Sequence, residues 1–142
     1  MKASRKRGDD LDRVERIRME EKKYHDFCYE NFSLFESGSW LHKPVKTVIE
    51  LLEDYKDQEY LSVLDLGSGV GRNSIPIAES MKNRWGKVIC VDVLESAIDK
   101  LLLYSQKFGV EQSIETRYRT LNNLRSNEKH LTSLSLYPPW NM

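Results

Sequence analysis

Three glycines at alternate positions behind an apolar strand constrain this chain most. Residues 61–72 read Leu-Ser-Val-Leu-Asp-Leu-Gly-Ser-Gly-Val-Gly-Arg, with the glycines at Gly67, Gly69 and Gly71. Glycine adopts positive φ without penalty and has no Cβ, so a ligand can lie directly against a main chain built this way. Residues 73–81 then read as a helix whose free N–H groups point back at the turn.

Around that turn the chain alternates β-type and helical patterns. A strand is expected over 61–66, a helix over 73–81, a strand over 88–93 and a helix over 94–108, with Gly109 as its stop. Such a βαβα rhythm builds a parallel sheet. Pro76 fits the first of these helices, because with Asn73 as N-cap it falls in the first turn, where no donor is needed. The near-continuous apolar run Val88, Ile89, Cys90 and Val91 is the pattern of a strand covered on both faces.

Upstream, apolar residues recur at Leu11, Val14, Ile17, Tyr24, Phe27 and Cys28, giving a helix over 11–32 with a weak first half and an aromatic, docked end. The stretch 33–43 breaks periodicity, and Gly38 between two serines marks a loop. Pro44 is expected to open a second helix running through Lys56, with Val45, Val48, Ile49, Leu52 and Tyr55 on one face.

Composition narrows the partners. The 142 residues carry 22 basic and 22 acidic side chains, so net charge gives no argument for a nucleic acid or an anionic membrane, and neither is expected. The mixed charges of residues 1–23 are those of a solvated helix. Cys28 and Cys90 lie far apart with no further ligand at metal spacing, so no disulfide framework and no metal site are suggested. No apolar run approaches the roughly 18 residues of a membrane span, and no apolar signal core follows the basic N-terminus, so a cytoplasmic location is expected.

A glycine turn alone selects no ligand; its surroundings do. Asp92 closes the second strand, and in a right-handed βαβ unit the ends of adjacent strands share one crevice. A carboxylate there can accept both hydroxyls of a ribose. The dinucleotide fingerprint G-x-G-x-x-G/A requires a small residue where this chain has Arg72, which ranks a nicotinamide-dependent oxidoreductase low. A phosphate-binding P-loop is excluded, since no Gly-Lys-Ser or Gly-Lys-Thr follows the turn.

Val63 to Arg72 resembles the first motif of class I S-adenosylmethionine-dependent methyltransferases, and Val88 to Leu94 resembles their second. The resemblance covers about residues 61–108 and implies a Rossmann-like three-layer α/β methyltransferase fold, here with an incomplete parallel sheet and two N-terminal helices. It implies S-adenosyl-L-methionine as cofactor. Gly67, Gly69 and Gly71 would pass under its methionine part, with Ser68 in the same turn. Asp92 would hold the ribose, Val93 and Leu94 would flank the adenine, and Asp65 would position the amino-acid end.

Simpler readings stay open beside these. Asp92 could cap the helix that begins near Leu94, and Asp65 could only bond loop amides. Arg72 reads as solvent-facing, His25 as a surface histidine, and Trp40, His42 and Tyr24 as packing residues in preference to a lid. No nucleophile with its base is recognisable, so no catalytic residue is named; methyl transfer needs none when cofactor and acceptor are aligned for direct displacement.

The resemblance implies a seven-stranded sheet, yet only residues 109–142 follow Phe108. The organisation expected is an N-terminal helical segment 1–60, a cofactor-binding core 61–116 and a tail 117–142 outside the family pattern, ending Tyr137-Pro-Pro-Trp-Asn-Met142. Regrouping the codons of the tail from the third base makes Phe-Asp-Phe-Thr-Phe-Ser-Val-Ser-Thr-Leu-Glu-His available from His130 onward. Residues 119–124 can then give Asp-Ile-Glu-Gln-Phe. Both strings are similar to later family motifs, so a frame slip near residues 116–118 is expected. The chain then reads as an inactive cofactor-binding half, with an open sheet edge, from a methyltransferase acting on a small-molecule acceptor. The alternative is a non-catalytic nucleoside-binding or partner-binding module.

Overall fold

The computed structural model describes residues 6–118. Three parallel strands, β1 (Tyr60–Leu66), β2 (Trp85–Asp92) and β3 (Ile114–Tyr118), lie in the order β1-β2-β3. Val63 pairs with Val88, and Val88 with Ile114. Helices α3 (Ser74–Glu79) and α4 (Glu95–Lys107) make the two crossovers. The βαβαβ succession is a Rossmann-like α/β arrangement. Two N-terminal helices precede it, α1 (Lys6–Asn31) and α2 (Lys46–Asp54).

The core lies on one face of the sheet. Leu61 and Val63 of β1, Val88 and Cys90 of β2 and Ile114 of β3 meet Ile75 and Ala78 of α3 and Ala97 and Leu101 of α4. The other face carries Tyr60, Leu64, Leu66 and Trp85, all exposed, and among the described residues no helix covers it. β2 is therefore covered by helices on one face, where its apolar run suggested two; Ile89 is shielded between its lateral partners Leu64 and Glu115.

The stop of α4 follows local chemistry, whereas neither βα helix has a side-chain cap bond at its start. Asn73 is the N-cap of α3, but its side chain makes no cap bond there; Asn73 Oδ1 accepts from Val45 N at 3.0 Å, where α2 begins. Gly109, at φ 66°, ends α4, with Gly109 N donating to Gln106 O and Val110 N to Ser105 O, the left-handed stop that glycine favours. β3 continues to Tyr118, which pairs with Asp92, so regular pairing extends past residue 116. The regrouped segments 119–124 and 130 onward lie outside the described residues.

Two expectations for the N-terminal helices change. Helix α2 starts at Lys46 with Val45 as N-cap, leaving Pro44 outside it, because Lys43 and Val45 are both extended (φ −153° and −64°, ψ 156° and 135°). It stops at Asp54, and of its apolar face only Val48 and Leu52 reach the core. Helix α1 is exposed from Asp12 to Lys23 and docks by its end, where Cys28 and Tyr29 are buried and Ser96 Oγ donates to Asp26 Oδ1 at 2.6 Å. No helix among the described residues is long and apolar enough to cross a membrane.

Candidate functional site

The site forms where β1 and β2 end side by side. Gly67 N and Ser68 N both donate to Val91 O, at 2.8 and 3.2 Å, so the chain leaving β1 folds over the end of β2. Gly67, Gly69 and Gly71 all take positive φ, at 75°, 55° and 101°. Gly71 N then donates to Ser68 O at 3.1 Å and Ile75 N to Gly71 O at 2.9 Å, which launches α3.

The three glycines have different surroundings. A Cβ on Gly67 would meet nothing within 4 Å. On Gly69 it would lie 3.0 Å from Tyr29 Oη. On Gly71 it would collide with Leu101 Cδ1 and sit 3.0 Å from Ile75 Cγ1. Gly67 thus borders open space, Gly69 is roofed by a tyrosine of α1, and Gly71 is the point where α4 touches the turn.

Asp92 joins the two sequence motifs. Its Oδ2 accepts from Gly69 N at 2.8 Å and its Oδ1 from Leu94 N at 2.8 Å. Leu94 is itself the N-cap residue of α4, so Asp92 does not cap the helix in the usual way, by accepting from the second or third helical amide. A carboxylate offers about four acceptor positions, so two remain for hydroxyl donors. Next to it, Val93 is exposed and Leu94 is half-buried against the core.

Asp65 projects from the covered face of β1 and accepts from Ser74 Oγ at 2.5 Å. Burial raises its pKa above the ordinary carboxylate value; the Ser74 bond opposes this, Asp92 adds to it, and Arg72 counters weakly. Ser68 Oγ is buried and finds no partner among the described residues. A buried hydroxyl left unpaired costs about 1–3 kcal/mol, so a polar ligand at this turn would satisfy it. The open space at Gly67, this hydroxyl and the spare acceptors of Asp92 fit a nucleoside carrying an amino-acid end.

Several residues around the turn differ from their sequence reading. Arg72 is not free in solvent: Nη1 donates to Trp40 O at 2.8 Å, and the guanidinium lies 5.1 Å from the centroid of the Trp40 ring. His25 is half-buried and not a free surface histidine; its ring centroid lies 5.7–5.9 Å from those of Tyr24, Tyr29 and Trp40, and Nδ1 is buried without a partner among the described residues. Trp40 meets Tyr29 with ring centroids 6.2 Å apart but, like Tyr24 and His42, stays exposed. Tyr29 is the neighbour of the site that periodicity hid. Its i+4 spacing from His25 on α1 was the available signal. Burial and the nearby Asp92 charge push its hydroxyl pKa well up, so it stays protonated.

No protein-family model matches the chain, and no curated protein matches it. Among solved structures it is similar to coclaurine N-methyltransferase bound to N-methylheliamine and SAH, at 24% identity and TM-score 0.45, over 52% of this chain and 21% of that one. It is similar to a SAM-dependent methyltransferase from Aquifex aeolicus at 23% identity and TM-score 0.44, over 51% and 38% of the two chains. It is similar to an RNA methyltransferase from Salinibacter ruber in complex with S-adenosyl-L-homocysteine at 23% identity and TM-score 0.44, over 56% and 50%. The chain thus spans between 21% and 50% of the length of these three structures.

Proposed function

We propose that the glycine turn binds S-adenosyl-L-methionine and that the chain is the cofactor-binding part of a methyltransferase whose acceptor is a small molecule. The observation that carries this reading is the 2.8 Å bond from Gly69 N to Asp92 Oδ2. It places the acid that ends β2 against the bare backbone that follows β1, so one crevice offers main-chain amides and a carboxylate together. When bound, the cofactor supplies a methyl group on a sulfonium, which a nucleophile takes directly.

The chain's own residues bind and orient in this reading. Asp92 and Leu94 address the nucleoside, and Gly67 with Ser68 leaves room for the methionine part. Asp65, held by Ser74, sets charge at the amino-acid end. Tyr29 roofs Gly69 from the α1 side. No residue is assigned to proton transfer.

Titration calorimetry of the whole chain with S-adenosylhomocysteine tests this, with methyl transfer from labelled S-adenosylmethionine followed in parallel. Saturable one-to-one binding, weakened at least tenfold in Asp92→Ala with the fold kept by circular dichroism, is expected. Tighter binding of a nicotinamide dinucleotide than of S-adenosylhomocysteine, or no binding of either, overturns the reading. Binding without transfer is what a cofactor-binding half gives by itself, whereas methyl transfer by this chain would contradict its reading as an inactive half.

A further inference from the structure

We propose that Arg72 holds the carboxylate of the cofactor's amino-acid end while Asp65 holds its ammonium, so that the glycine turn selects a nucleoside carrying a whole amino acid. This rests on the proposed function and adds a residue to it. Asp65 stands two positions before Gly67 and Arg72 directly after Gly71, so the two charges bracket the turn. Both side chains are half-buried. The Arg72 charge reaches Asp65, where it works against the rise that burial imposes on the carboxyl pKa.

The two charges feel each other yet do not pair. Asp65 Oδ2 accepts from the Ser74 hydroxyl at 2.5 Å, and Arg72 Nη1 donates to the Trp40 carbonyl at 2.8 Å. Both of those partners are neutral. The ion pairs among the described residues involve neither Asp65 nor Arg72. Opposite charges held apart on separate neutral anchors are matched by a zwitterion, with its ammonium toward the acid and its carboxylate toward the guanidinium. A lone anion at Arg72 would meet the like charge of Asp65, which is why an amino acid fits this pair better than a simple carboxylate or phosphate.

Arg72 is also set up for a carboxylate. A guanidinium carries five N–H donors in a planar fork, and the bond to the Trp40 carbonyl uses one of them. The remaining donors suit the two oxygens of a carboxylate. The Trp40 ring, its centroid 5.1 Å from the guanidinium carbon, and the carbonyl bond together hold the fork before any ligand arrives. Little side-chain freedom is then lost on binding.

Titration calorimetry of the whole chain tests this with S-adenosylhomocysteine, its decarboxylated analogue bearing an aminopropyl thioether, and methylthioadenosine, which lacks the amino acid altogether. Arg72→Gln is expected to weaken S-adenosylhomocysteine about tenfold or more, as the loss of a hydrogen bond to a charged group does, and to leave the other two ligands unchanged. Arg72→Lys keeps the charge without the fork and is expected to fall between. Equal weakening of all three ligands overturns the proposal and leaves Arg72 as a fastener of the 33–43 loop; no weakening of any overturns it as well. In both of those cases the unmodified chain still binds, so the proposed function stands. If the unmodified chain binds none of the three, the proposed function and this assignment fall together. Should Arg72→Gln fail to fold, the Nε–H resonance of Arg72 in the unmodified chain decides. It is expected to shift with S-adenosylhomocysteine and not with the decarboxylated analogue; a shift with both, or with neither, overturns the proposal.

Discussion

The guanidinium of Arg72 lies 5.1 Å from the centroid of the Trp40 ring and donates to the Trp40 carbonyl at 2.8 Å, fastening the 33–43 loop to the first residue after the glycine turn. A fixed loop keeps Trp40 against His25 and Tyr29, and Tyr29 in turn roofs Gly69. The aromatic wall and the turn are therefore one mechanical unit.

A double-mutant cycle of Arg72→Ala and Trp40→Ala isolates the ring contact, because the carbonyl acceptor survives the loss of the indole. The coupling expected is about 0.5–1 kcal/mol, the range for a partly exposed cation–π pair. Measured by urea unfolding, a coupling of zero would show that the hydrogen bond alone holds the loop.

Glycines 67 and 71 separate under the same substitution. Gly67→Ala costs about 1 kcal/mol, for positive φ alone, since its Cβ meets nothing. Gly71→Ala costs about 2–4 kcal/mol, since positive φ is joined by the collision with Leu101 and by Ile75. Under the proposed function, Gly67→Ala also weakens S-adenosylhomocysteine binding more than its stability cost accounts for. Equal losses of stability in urea unfolding would contradict the packing at Gly71.

Asp65 gives stability a pH dependence of its own. Its raised pKa, caused first by burial and also by Asp92, means the folded chain keeps a proton that the unfolded chain has already lost. Stability from this group is present at low pH, falls as pH rises from the ordinary carboxylate value through the raised one, and stays lost at neutrality. Asp65→Asn is expected to raise the melting temperature at pH 7 and to change it little at pH 3. A lower melting temperature at pH 7 would mean that the Ser74 bond to the carboxylate outweighs its desolvation.

Particular residues show which features could be read in advance. The positive φ of the three glycines, the stop at Gly109 and the N-cap position of Asn73 follow from what each residue does to its own backbone. The strand and helix succession follows from periodicity, although β2 begins at Trp85, ahead of the apolar run that marks it. Pro44 misled because its fixed φ suits a helix start and an extended approach equally. Asn73 misled in part because its side chain serves Val45 and not its own helix. His25 and Arg72 were misread because a lone polar residue carries no local sign of the partners that come from elsewhere in the chain.

By itself, the sequence determined the parallel βα rhythm, the left-handed turn after β1 and the acid at the end of β2, because glycine conformation and apolar period are properties of neighbouring residues. Only the tertiary structure decided that Asp92 grips Gly69, that Leu101 forbids a side chain at Gly71, that Tyr29 roofs the turn and that one face of the sheet carries no helix among the described residues. Those contacts join segments far apart in the chain, and their geometry follows from how helices and sheet pack, which no local pattern encodes.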